Sequence, residues 1–292
     1  MNDLKGTPFG FVIGALLPAK AQHQPALNDG LMAQLPTTNN HRHYSAFEQR
    51  YTSGTQNTKK HQTDCLVCTT RTPEMTSLAD RYHLDFAAAF VRGSLPERQG
   101  LSAEEIFRHG ESSGLRLHKF KRMTPMPRVR RVFGFLRQIE PNGLLDIGSG
   151  RGAFLWPLLS EFPELNVHCV DVREDRVRDI RAVSAGGISR LSAEVADVTK
   201  LPMADSSFDG VSMLEVLEHL SEPERAIAEA VRVARRFVVV SVPSKADDNP
   251  EHIQLFTEES LTKLFTRVGV ERLSIDYVLN HIIAMAILKG AS

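Results

Sequence analysis

The spacing of apolar residues changes character near residue 140. From there to the end, short apolar runs alternate with longer stretches of helical period. Gly143–Ile147 reads as a buried strand entering the turn Gly148-Ser149-Gly150-Arg151-Gly152, and residues 153–161 follow as a helix. Asn166–Val170 and residues 192–196 read as strands that end on Asp171 and Asp197, with a helix over residues 174–182 between them. Phe208–Leu214 is a fourth strand, residues 223–234 a helix and Phe237–Val242 a fifth strand. Thr257 caps a further helix that Gly269 stops, and residues 271–277 and 281–288 close as a hairpin. Strands alternating with helices predict a doubly wound α/β domain, its parallel sheet covered on both faces. The hairpin adds an antiparallel edge strand.

Upstream the pattern is helical. Leu78, Tyr82, Phe86 and Phe90 predict one helix over Ser77–Arg92. Ser102 and Glu105 form a capping box, with Leu101 and Ile106 placed as a hydrophobic staple. A third helix, Pro127–Ile139, turns Val129, Val132, Phe133, Leu136 and Ile139 inward and carries Arg128, Arg130, Arg131 and Arg137 mainly on the other side. Residues 1–75 show no sustained period and are rich in Gln, Asn, Thr, His and Pro, which predicts poor order. The chain therefore divides into an N-terminal extension (1–75), a helical cap that helps define the substrate (76–139) and an α/β domain (140–292).

Charge adds one feature. The formal net charge is zero, but residues 116–139 hold 8 basic and no acidic side chains, while residues 140–292 hold 16 basic against 24 acidic. A cationic segment thus precedes an acidic domain, and it suits either that domain or an anionic partner. Three cysteines, Cys65, Cys68 and Cys169, exclude a disulfide framework. No apolar run is long enough to span a bilayer. Pro8–Pro18 followed by Ala19-Lys20-Ala21 has some likeness to a signal peptide, but Asp3 and the bracketing prolines oppose it, and the reading is cytoplasmic.

The glycine turn carries the chemistry. Glycines belong where the chain turns sharply and a ligand meets the backbone. Here the spacing is Gly-x-Gly-x-Gly, with Asp146 two positions ahead. A carboxylate there repels pyrophosphate and suits a ligand with a cationic centre. Asp146, Asp171, Asp197 and Glu215 each fall at or near the carboxyl end of one of the first four strands, where ligands of such sheets lie.

With these motifs, residues 144–288 resemble the class I S-adenosylmethionine-dependent methyltransferases, in the group that includes the ubiquinone-biosynthesis O-methyltransferases. LLDIGSGRG (Leu144–Gly152), ADVTKLP around Asp197, FDGVSMLEVLEHL (Phe208–Leu220) and EHIQLFTEESL (Glu251–Leu261) fall in the family's order. The resemblance implies S-adenosylmethionine as cofactor and a seven-stranded sheet ordered 3-2-1-4-5-7-6 with the last strand antiparallel. It implies that Asp146, Gly148, Ser149, Gly150 and Gly152 line the methionine part of the cofactor. Asp171 with Val172 would hold the ribose, Asp197 with Val198 the adenine, and Glu215 would stand beside the methyl.

The acceptor is less legible. Glu215, Glu218 and His219 are spaced to share one face of a helical turn, with His252 available from the next loop. The preferred reading has His219 or His252 as the base and no metal. The alternative is a divalent-ion site of Glu215, Glu218, His219 and His252, since two groups of the family, the ubiquinone O-methyltransferases and the small-RNA ribose methyltransferases, use a metal near these positions. A small-molecule acceptor methylated on oxygen or nitrogen ranks first, RNA second because of the basic segment, and a non-catalytic cofactor-binding protein third. Cys65-x-x-Cys68 with His41, His43 or His61 is an incomplete zinc set.

Overall fold

A computed structural model describes residues 77–96 and 99–289 of the chain. The readings of residues 1–75, including the Cys65-x-x-Cys68 pair, lie outside the described residues.

Seven strands form one sheet: β1 Gly143–Ile147, β2 Asn166–Asp171, β3 Leu191–Val195, β4 Phe208–Leu214, β5 Ala234–Pro243, β6 Arg272–Val278 and β7 His281–Ile287. Their order is β3-β2-β1-β4-β5-β7-β6, as the resemblance implies. The first five strands pair in parallel, and β7 runs antiparallel to both its neighbours. The antiparallel strand is thus interior, inserted between β5 and β6, and β6 is the edge. That position fits its sequence, since Ile282–Ala286 is buried throughout while β6 alternates exposed and half-buried positions.

Successive side chains of a strand point to opposite faces, and both faces here are apolar. Leu144, Val167, Cys169, Val239, Ile283 and Met285 join one cluster, with helices α2 Leu84–Ser94, α3 Ala103–Ser112, α4 Pro127–Ile139, α5 Leu155–Glu161 and α6 Glu174–Ala185. Leu145, Ile147, Val170, Val211, Met213, Val238 and Val240 join the other, under α7 Pro223–Val233 and α8 Glu258–Arg267. Both capping signals form: Ser102 with Glu105 opens α3, and Thr257 with Ser260 opens α8.

The helix predicted over Ser77–Arg92 is in fact two, α1 Leu78–Arg81 and α2. Tyr82 leaves helical geometry at φ −134°, ψ 154° and bridges to Lys121. Its ring packs 4.7 Å from that of Phe107. His83 then accommodates the start of α2, with Nδ1 2.8 Å from Ser160 Oγ, and burial lowers its pKa to about 4. The period survives the break because Phe86 and Phe90 stay on the buried face. A tertiary strand pairing overrides local helical propensity here.

Two glycines set how closely α2 lies on α6. A Cβ on Gly93 would stand 1.9 Å from the carbonyl oxygen of Ala182, and one on Gly186 would stand 1.8 Å from that of Ala89. Neither neighbour is a flexible side-chain tip, so the backbones themselves would have to part. Gly93→Ala should therefore destabilise by about 1–3 kcal/mol, although alanine is favoured by about 1 kcal/mol inside a helix. Urea unfolding decides between the two effects; an unchanged or raised midpoint would show that the helices separate freely.

Candidate functional site

The strand order reverses at β1, which has β2 on one side and β4 on the other. The loops leaving the carboxyl ends of these strands diverge at such a point and leave a crevice. The turn after β1 is held there by its glycines. Gly148, Gly150 and Gly152 all have positive φ, at 71°, 55° and 82°. A Cβ on Gly148 would come within 2.5 Å of Val216 Cγ2, and one on Gly152 within 2.1 Å of Trp156 Nε1. At Gly150 it would meet only the turn's own backbone, at 3.7 Å. The first and third glycines serve packing, and the second leaves bare backbone open.

Acids hold this turn from two directions. Asp146 is 2 % exposed. Its Oδ2 accepts from Ser149 Oγ at 2.6 Å and its Oδ1 from Ser212 Oγ of β4 at 2.8 Å. Both oxygens are thus engaged within the protein. Asp171 Oδ2 accepts from Gly150 N–H at 3.1 Å, and its Oδ1 from Arg173 N–H at 3.0 Å. Val172 beside it is 66 % exposed. Asp197 is exposed, and hydrogen bonds from the backbone and side chain of Thr199 hold its carboxyl below the usual range. Val198 is buried beneath it.

The segment after β4 departs from the expected helical turn. Glu215 takes φ 59°, the left-handed region, and only Leu217–His219 forms a short 3₁₀ turn. Glu215 is thereby separated from Glu218 and His219. Its Oε1 accepts from Ser241 Oγ at 2.7 Å, its Oε2 lies 3.0 Å from His281 Nε2, and Arg128 Nε stands 3.7 Å from Oε1. Glu218 turns inward instead, 1 % exposed, and neither carboxylate oxygen has a hydrogen-bond partner. Burial pushes its pKa up to about 8, and the Glu215 charge adds to the rise. Ligand atoms of Glu218, His219 and His252 lie within 4.8 Å of one another. His219 Nδ1 donates to the carbonyl of Glu251 at 2.9 Å, and His252 Nδ1 is 2.9 Å from Asp247 Oδ1. The expected set of four is thus a set of three, with Glu215 in a different network.

Arg128, Ser241 and His281 do not stand out in the sequence as site residues. The signal for His281 is present but weak: a polar residue opens an otherwise apolar strand, HIIAMAI. Only the position of β7 beside β5, with His281 opposite Pro243, brings it to the carboxyl edge.

Residues 145–239 match the family model described as a methyltransferase domain. The matched stretch is thus similar to methyltransferase domains. The chain is 36 % identical over 99 residues to a malonyl-[acyl-carrier protein] O-methyltransferase of Geobacter sulfurreducens, covering 34 % of this chain and 37 % of that protein. It is 29 % identical over 134 residues to ajmaline N-methyltransferase of Rauvolfia serpentina, covering 44 % and 45 %. A 27-O-demethylrifamycin SV methyltransferase of Amycolatopsis mediterranei is 30 % identical, with 42 % and 49 % covered. The aligned chain spans less than half the length of these relatives. Among solved structures, a methyltransferase from Aquifex aeolicus aligns with a TM-score of 0.46 at 20 % identity, over 57 % of this chain and 99 % of that one. No helix of the described residues is long and apolar enough to cross a membrane.

Burial of Asp146 has a measurable consequence. Desolvation raises its pKa from 3.8 to about 6, against the lowering effect of its two serine partners. Folding therefore favours the protonated form, so stability falls as pH rises from about 4 to about 6 and is level above that. Asp146→Asn should remove this slope. Between pH 4 and 7, wild type should lose roughly 3 kcal/mol of unfolding free energy relative to the variant. Parallel stability curves for the two proteins would show that the carboxyl is not desolvated.

Proposed function

We propose that the chain transfers a methyl group from S-adenosylmethionine to an oxygen or nitrogen of a small-molecule acceptor. The observation that carries this reading is the glycine turn at the strand-order reversal, held by Asp171 and closed beneath by Asp146. Gly148, Ser149, Gly150 and Gly152 would present backbone to the methionine part, with Gly150 offering the unobstructed approach. Asp171 would accept the ribose hydroxyls, and the exposed side chain of Val172 suits the flat face of a base. Asp197, at the neighbouring strand end, would accept from the adenine amino group, with Val198 beneath it. Asp146 supports the turn instead of touching the ligand. When bound, the cofactor supplies an electrophilic methyl on a cationic sulfur. The chain's part is then to hold an acceptor in line with that methyl, to exclude water and to take up a proton.

The acceptor side favours a small molecule with apolar surface. Ile253 and Leu255, in the loop after β5, and Leu279, in the turn before β7, are exposed at the carboxyl edge. The relatives include enzymes named for O- and N-methylation. Half of the basic segment's cations, in contrast, pair with acids of the following domain. Lys119 pairs with Asp179, Arg128 with Glu215, Arg131 with Asp276, and Arg137 with Glu161. Those four of its eight cations are therefore not free for phosphates.

Calorimetry with S-adenosylhomocysteine tests the cofactor reading. Wild type should bind, and Asp171→Ala should bind at least tenfold more weakly, because a charge-assisted hydrogen bond contributes about 1.5–3 kcal/mol. No binding by wild type would overturn it. The RNA alternative is tested with an oligouridylate. Five phosphate contacts would give a log–log salt slope of about −3.5. We expect weak binding and a shallower slope, and one steeper than about −3 would restore RNA as the substrate.

A metal-assisted variant of the same reading is favoured by one observation, the unpartnered carboxylate of Glu218. Histidines whose Nδ1 atoms are engaged leave Nε2 for an ion, and such outer partners commonly orient metal-binding imidazoles. Glu218, His219 and His252 would hold the ion, which would acidify a hydroxyl acceptor. Titration with Mn²⁺ and Zn²⁺ checks this. Binding weakened at least tenfold in Glu218→Gln supports the site, and equal or absent binding leaves Glu218 as a buried neutral acid.

A further inference from the structure

We propose that His281 and Glu215 form a proton-accepting pair on the acceptor side of this site. The inference rests on the methyltransferase reading and deepens it by assigning the base to a residue outside the Glu-x-x-Glu-His motif.

Topology supplies the first argument. Because β7 is antiparallel, its first residue lies at the same edge as the last residues of β4 and β5. His281 is the register partner of Pro243 and of Val278, so its strand neighbours bring no charge. The titratable and charged groups facing the pair are Arg128 from α4 and Glu218, whose carboxyl the Glu215 charge reaches; the remaining polar partner is the Ser241 hydroxyl.

Backbone geometry supplies the second. Glu215 is one of four non-glycine residues with positive φ among the described residues. Such a conformation costs of order 1–3 kcal/mol and persists only when the surroundings enforce it. The Glu215 N–H donates to the carbonyl of Ser241 at 2.9 Å, and the side chain is received by Ser241 Oγ and His281 Nε2. The strained turn thus delivers a carboxylate to one nitrogen of an imidazole. Arg128, 3.7 Å from Oε1, keeps a positive charge beside that carboxylate.

The tautomer follows from the bond. A carboxylate only accepts, so Nε2 must carry the hydrogen it donates. Nδ1 is then the lone-pair nitrogen, and among the described residues it has no hydrogen-bond partner. The side chain is 21 % exposed, so solvent and solutes reach it at the carboxyl edge. This is an imidazole with one nitrogen fixed by an acid and the other free, the arrangement that suits a general base. In the transfer, the acceptor's lone pair forms its bond to the methyl carbon while the carbon–sulfur bond breaks, its electron pair returning to sulfur. The acceptor's O–H or N–H proton passes to His281 Nδ1. The resulting imidazolium is stabilised by Glu215, and the proton leaves to solvent after product departs. His219 has a backbone carbonyl in place of an acid, and the acid beside His252, Asp247, is exposed, whereas Glu215 is half-buried and held by Ser241 and Arg128.

The test needs no identified acceptor. Histidine ring nitrogens of the full chain, labelled with ¹⁵N and assigned by loss of one signal set in His281→Gln, report the tautomer. We expect the neutral ring of His281 to be protonated at Nε2. Glu215→Gln, whose amide can donate as well as accept, should weaken that preference. A neutral ring protonated at Nδ1, or a tautomer ratio unmoved by Glu215→Gln, overturns the proposal. Should His281→Gln lose its native near-ultraviolet dichroism, His281→Asn supplies the assignment. Calorimetry with S-adenosylhomocysteine on His281→Gln places the residue. Affinity within about threefold of wild type puts His281 on the acceptor side, and its loss assigns it to the cofactor and overturns the proposal. Absent binding by wild type would overturn the methyltransferase reading alone, and the tautomer would still decide whether the pair exists.

Discussion

Asp146 places a carboxylate at the top of β1 with no water to solvate it, and the carboxyl edge is organised around that demand. An unpaired buried charge would be strongly destabilising, so two hydroxyls must be brought to it. One comes from Ser149 in the glycine turn and one from Ser212 in β4. The same three groups therefore tie the turn to β1 and β1 to β4, across the reversal in strand order. Asp171 then ties the turn to β2 through Gly150. The turn is fixed on both flanks before any ligand arrives, as a preorganised binding surface requires.

The helices before β1 pack into the sheet's own apolar core. Phe86, Phe90, Phe107, Phe120 and Phe133 enter the same apolar cluster as Leu144 and Val239 of the sheet. Close approach of α2 to α6, permitted by Gly93 and Gly186, draws them in. Arg128 then reaches Glu215 from the start of α4. Substrate-defining roles, if residues 76–139 have them, fall to the end of this segment that meets the carboxyl edge.

Much of this was legible in the sequence because the α/β domain repeats a local grammar. Alternating apolar runs revealed the strands, Thr257 and Ser102 marked helix starts, and acids at strand ends marked the crevice. What escaped was set by contacts between distant residues. The break at Tyr82 depends on Lys121, a bridge that no period within Ser77–Arg92 announces. The departure of Glu215 from a helical turn depends on Ser241 and His281, 26 and 66 residues away. A spacing of three and four suggested one shared helical face, but a single positive φ at Glu215 divided the motif. The engagement of Asp146 was likewise hidden, since Ser212 gives no sign in the sequence that it faces β1.

That division has a chemical logic of its own. The two carboxylates, Glu215 and Glu218, lie three positions apart and would repel one another if both stayed ionised in a half-buried site. The structure separates their states by environment. Glu215 has an arginine and two hydrogen-bond donors around it. Glu218 has no donor and, with burial raising its pKa to about 8, holds a proton at neutral pH unless an ion replaces it. Pairs of acids driven apart in this way commonly mark where an enzyme separates charge stabilisation from proton handling. On this argument the Glu-x-x-Glu-His segment is two half-sites joined by a strained residue. One half faces the strand β7 side and the other faces the loop that carries His252. Methyl transfer at an acceptor that needs deprotonation would use the first, and an acceptor that needs acidification would engage the second.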